Sequence, residues 1–63
     1  MTLKPGDLLA FYPGGRTHDE VHINLVLKLT PGEAYDFQLW SFNKKRKFNE
    51  NFAAIGKSYE KIN

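Results

Sequence analysis

The sequence predicts a single all-β domain over residues 1–63, folded as a small, strongly bent five-stranded barrel. Every proline is followed by glycine, at Pro5-Gly6, Pro13-Gly14-Gly15 and Pro31-Gly32. Proline fixes φ and glycine accepts positive φ, so each pair sets a turn. The segments between these turns are rich in the β-branched and aromatic residues that suit a pleated surface. Residues Val21 to Leu29 alternate with a period of two, which a strand requires and a helix would scatter around its circumference. A chain of 63 residues has too little interior for a second core.

Taken in order, Pro5-Gly6-Asp7 delivers the apolar run Leu8-Leu9-Ala10-Phe11-Tyr12 as a first strand, which Pro13-Gly14-Gly15 ends. Arg16 to Glu20 is polar and reads as an exposed loop. In the second strand Val21, Ile23, Leu25, Leu27 and Leu29 form the expected inward face, with His22, Asn24, Val26 and Lys28 outward. Thr30-Pro31-Gly32-Glu33 turns the chain into a third strand, Tyr35 to Phe42. There Tyr35, Phe37 and Leu39 share one face and Asp36, Gln38, Trp40 and Phe42 the other.

The last third admits two readings. Phe48, Phe52, Ile55, Tyr59 and Ile62 recur at helical spacing, so residues 49–62 suit one amphipathic helix capped by Asn49, giving a three-stranded meander with a C-terminal helix. Gly56 opposes this, because an interior glycine costs about 1 kcal/mol relative to alanine. The second reading makes Lys47 to Asn49 a fourth strand, Phe52 to Ile55 a single helical turn, Gly56 a break and Ser58 to Ile62 a closing strand. The five-stranded prediction rests on this second reading.

Composition narrows the functional classes. There is no cysteine, so no disulfide supports the thin core that so short a chain can build, and a reducing compartment is expected. No apolar run approaches the ~20 residues of a membrane span and the N-terminus lacks the apolar stretch of a signal peptide, so a soluble protein with no membrane partner is expected. The net charge of +2 is mild, which makes the placement of charge more informative than its sum.

Lys44-Lys45-Arg46-Lys47 is a run of cations set between Trp40, Phe42 and Phe48. At a hairpin tip it suits phosphates, with flanking rings to stack on bases; it equally suits a solvated tip that discourages edge-to-edge aggregation. Trp40 and Phe42 fall opposite Phe37 and Leu39, which leaves large rings either exposed as contacts or covered by a curved sheet. Tyr12 and Tyr35 are likewise rim contacts or core residues with satisfied hydroxyls. His18, Glu20 and His22 would point one way in an extended segment, a combination of ligand types that suits a divalent metal, but a loop of solvated histidines is the reading adopted, and no metal or cofactor is expected. No Gly-x-Ser-x-Gly elbow, thiol or Walker-type loop occurs, and a small barrel is expected to lack a cavity of the ~300 Å³ that ligand sites need. The sequence therefore predicts no enzyme and no small-molecule substrate.

The Pro5-Gly6-Asp7-Leu8 opening, the polar loop, the long strand ending near Leu29 and the strand closing in Leu39-Trp40-Ser41 resemble the Src-homology-3-like (SH3-like) small barrels, and among them the short proteins encoded by tailed bacteriophages. Phe52 to Ile62 is similar to their helical turn and last strand. The chain departs from the peptide-binding members of eukaryotic signalling proteins: its polar loop holds only Asp19 and Glu20 as acids, and no proline precedes Asn51-Phe52. The resemblance implies a non-catalytic protein-interaction or assembly module, a phage accessory or virion-associated protein, found in the host cytoplasm or the virion. The expected contacts to a protein partner or a second copy are Trp40, Phe42, Tyr12 and Tyr35. The alternative is a nucleic-acid-binding barrel that uses Lys44, Lys45, Arg46 and Lys47.

Overall fold

The computed structural model of the 63-residue chain describes residues 3–15, 17, 20–30 and 36–63, the side chains of Asp36 and Phe52 excepted. Its elements are β1 (Leu8–Phe11), β2 (His22–Thr30), β3 (Asp36–Ser41), β4 (Arg46–Glu50), α1 (Phe52–Ser58) and β5 (Tyr59–Lys61). The strands form one five-stranded sheet in the order β4-β3-β2-β1-β5, and every neighbouring pair is antiparallel. The protein is thus a small all-β fold. Hydrogen bonding does not close the sheet into a ring, since β4 and β5 are its two edges.

The opening turn shows how the sequence starts the sheet. Gly6 adopts φ 97° and Gly15 φ 87°, the left-handed conformation that glycine takes without a Cβ penalty. The Gly6 N–H donates to the Val26 carbonyl at 2.9 Å and the Val26 N–H to the Asp7 carbonyl at 2.9 Å, so the turn is already in register with β2 before β1 begins. Asp7 is buried, and its carboxylate accepts from the Lys4 backbone N–H at 2.9 Å. The Lys4 and Lys61 ammonium groups each lie 3.7 Å from it. Through Lys61, one acid ties the first turn to the last strand. The Pro31-Gly32 turn lies outside the described residues.

The core occupies one face of the sheet: Leu3, Leu9, Val26, Phe37, Leu39 and Ile55 are buried, with Phe48 and Tyr59 packed against them. This reverses the expected orientation of β2. Asn24 and Val26 are the buried residues there, while Ile23, Leu25 and Leu27 are only half-buried and Val21 is 39% exposed. The register explains it, because Asn24 lies opposite Leu9 and Val26 opposite Leu39, both fully buried. Centrally β2 is apolar on both faces, and the face that α1 and Leu3 cover accepts the smaller pair. A bulge between Val26 and Lys28 then shifts the alternation, which brings Leu29 opposite the buried Phe37 although Leu29 itself stays 40% exposed.

The C-terminal segment is the helical turn and strand of the second reading, with one correction: α1 runs through Gly56 to Ser58 rather than breaking there. Its cap is Asn51, and Asn49, the cap of the single-helix reading, lies in β4. The Asn51 side chain accepts from the Ala54 N–H at 2.8 Å, and Lys57 stands in the last turn, where the helix dipole favours a cation. Two turns of helix survive because Ile55 is driven into the core and β5 follows at once, Tyr59 closing the helix through its N–H to the Ile55 carbonyl.

Candidate functional site

The face of the sheet opposite the core carries a continuous apolar band. Cross-strand pairing aligns Leu8, Leu25, Trp40 and Lys47 across four strands. Ile62 extends the row on the β5 side, its N–H donating to the Leu8 carbonyl at 3.0 Å. A second row holds Ala10 and Ile23, joined by Phe42, whose N–H donates to the Ile23 carbonyl at 3.1 Å. Phe42 is 48% and Ile62 46% exposed, while Leu8, Ile23, Leu25 and Trp40 are half-buried. Trp40 is therefore neither core nor fully exposed. It stands among half-buried apolar residues on a face where Ala10 is buried and Phe42 and Ile62 are exposed.

The other expected contact residues are not gathered there. The Tyr12 hydroxyl donates to Glu60 Oε2 at 3.4 Å across the β1–β5 edge. Tyr35 lies outside the described residues. Lys44, Lys45, Arg46 and Lys47 are all exposed, Lys44 and Lys45 in the β3–β4 turn and Arg46 and Lys47 at the start of β4. Lys45 takes φ 55°, and the Ser41 hydroxyl accepts from the Lys44 N–H at 3.1 Å, which fixes the tip. Strand alternation then divides the cations: Lys47 lies beside Trp40 on the apolar face, and Arg46 lies opposite Ser41 on the core face.

Between the core and this basic tip the inner face opens into a cleft of about 310 Å³, contrary to the expectation that the fold has no cavity of ligand size. Phe11, Phe48 and Tyr59 wall it, Asn24 and Ser41 lie buried within it, and Lys44 and Arg46 contribute cations. The Phe11 and Tyr59 rings are 5.1 Å apart at 32°. Tyr59 donates its hydroxyl to Glu50 Oε2 at 3.2 Å. Burial, followed by the charge and the hydrogen bond of Glu50, pushes that phenol up to about 12. His22 also lines the cleft and meets Glu20 at 2.7 Å. A second cleft, about 410 Å³ beside Tyr12 and Lys57, has no buried polar side chain among the described residues.

His18, the third member of the metal-like trio, lies outside the described residues, and among those described no group of three or more His, Cys, Asp and Glu is placed to hold an ion. Nor is any described helix long and apolar enough to cross a membrane. No family model, curated protein or solved structure matches this chain. Sequence reasoning passed over Asn24, Ser41, Glu50 and Tyr59 as a group. The available signal was Asn24, a polar residue at the centre of an otherwise apolar strand.

Proposed function

We propose that this protein is a non-catalytic protein-interaction or assembly module that docks a protein partner or a second copy on the band around Trp40. The observation that carries this reading is the partly exposed apolar row Ile62, Leu8, Leu25 and Trp40, flanked by Ile23 and Phe42. Contiguous apolar surface of this kind marks interaction sites, and tryptophan is among the residues enriched where binding energy concentrates. Lys47 at the end of the row favours a surface whose apolar centre is bordered by carboxylates. The resemblance of the Pro5-Gly6-Asp7-Leu8 opening and the Leu39-Trp40-Ser41 strand end to SH3-like phage proteins is the ground for a role as a phage accessory or virion-associated protein. Affinity capture from the native host tests the reading: one dominant protein should be recovered by the wild type and lost with Trp40→Ala. Recovery that is unchanged by the substitution would overturn it.

A second reading, nucleic-acid binding, is favoured by one specific observation. All four cations of the tip are exposed on a single hairpin, and two of them line the inner cleft. Phosphate contacts release counterions, so this binding should weaken steeply between low and physiological salt, whereas docking on the apolar band should change little.

A further inference from the structure

The inner cleft combines three features that neither the apolar band nor a solvated tip explains. The first is its buried amide. Asn24 is 3% exposed, yet among the described residues its side chain makes one hydrogen bond, from Nδ2 to the His22 carbonyl at 3.4 Å. Its oxygen and its second N–H are left to the cleft that it lines. No buried side-chain polar atom among the described residues lacks a partner, so the free Asn24 groups open onto the cleft, where a ligand can reach them as water does. The second is Ser41, equally buried at 3%, directly across the strand pair from Asn24. Its oxygen accepts from the Lys44 N–H, leaving the hydroxyl proton to donate. The third is the setting: the rings of Phe11, Phe48 and Tyr59 on the walls, with Lys44 and Arg46 on the side of the tip.

We infer that this cleft binds one unpaired nucleotide, its base held among the rings and read by Asn24 and Ser41, and its phosphate met by Arg46 and Lys44. The inference rests on the second reading above and deepens it. A primary amide offers an adjacent donor and acceptor, the complement of the donor–acceptor pair on the Watson–Crick edge of each base. That edge is free only in a mononucleotide or a single strand, and single-strand recognition combines stacked rings with cations along the backbone. A volume of about 310 Å³ suits one base rather than a larger cofactor. Glu50 is the opposing charge in the cleft, but its carboxylate already accepts from Tyr59 and from the Asn51 N–H at 3.2 Å.

The test is an NMR titration of the full chain with AMP, a short oligo-deoxyadenylate, the matching duplex and inorganic phosphate, each followed at the Asn24 side-chain amide. AMP or the single strand should shift that amide and the rings of Phe11, Phe48 and Tyr59 while leaving the Trp40 indole unmoved. Response to AMP assigns the site to free nucleotides as well; response to the strand alone assigns it to strand-borne bases, and either supports the inference. Asn24→Leu should weaken nucleotide binding about tenfold. Should that variant fail to fold, Ser41→Ala should weaken it severalfold in a folded chain. Three results would overturn the inference: identical shifts with phosphate alone, affinity unchanged by both variants, or duplex bound as tightly as single strand. If salt-sensitive binding falls with Lys45→Gln and Lys47→Gln but not with Asn24→Leu, the tip reading stands and the base-binding cleft does not.

Discussion

Placing an aspartate at two adjacent positions of β2 separates the inner from the outer face. Val26 is 1% exposed beneath Leu39 and Leu9, so Val26→Asp forfeits about 2 kcal/mol of apolar burial. It also leaves a carboxylate without a partner in the core, at a further cost of several kcal/mol. A domain of this size has a total stability of only about 3–5 kcal/mol, so the variant should not fold. Leu25, one residue away, is half-buried beside Leu8 and Trp40 on a face open to solvent. Leu25→Asp should lose about 1 kcal/mol, lowering the melting temperature by about 4–8 °C while retaining the fold. Thermal melts followed by circular dichroism, with amide spectra at 25 °C, read both outcomes. A folded Val26→Asp beside an unfolded Leu25→Asp would show that the apolar alternation of the sequence, and not the register described above, sets the core.

Three other perturbations address the devices that hold this small sheet together. Nothing lies within 4 Å of a Cβ built at Gly56, so Gly56→Ala should stabilise the chain by about 0.5–1 kcal/mol, visible as a raised melting temperature. The Lys4 backbone N–H holds the Asp7 carboxyl below its ordinary value of 3.8 against the opposing pull of burial, and the Lys61 and Lys4 ammonium groups add to the lowering. With the folded value below the unfolded one, the stabilisation from Asp7 is complete above the unfolded value and drains as pH falls through the folded one. Acid melts should therefore show a loss of stability below about pH 4 that is smaller in Asp7→Asn. In an alkaline absorbance titration Tyr59 should ionise near 12, and Glu50→Gln should bring it down by removing the charge that opposes the phenolate.

Much of the strand plan was legible because turns and periodicity are local. Pro5-Gly6 and Pro13-Gly14-Gly15 bracket β1, and the alternation in residues 21–29 marks β2 over nearly its observed length. Which face of β2 turns inward was not legible. Leu25, Val26 and Leu27 are consecutive and all apolar, so the choice depends on Leu9, Leu39 and Ile55, which come from other parts of the chain. Gly56 misled for a related reason: its intrinsic cost favours a break, but burial of Ile55 and the hydrogen bonds of Asn51 and Tyr59 hold the helix through it. The basic tip could be read directly, since consecutive cations seldom go inside. The cleft could not, because Asn24, Ser41 and Tyr59 meet only once β1, β2, β3 and β5 are paired.

The most direct test of the apolar band as the interaction surface is chemical-shift mapping of the labelled chain, in a dilution series for self-association and with the captured protein for a partner. The band predicts that the Trp40 indole and the amides of Leu8, Ile23, Leu25 and Phe42 respond together, with Asn24 and Ser41 unmoved. Shifts confined to the inner cleft or to the basic tip, with Trp40 silent, would contradict it.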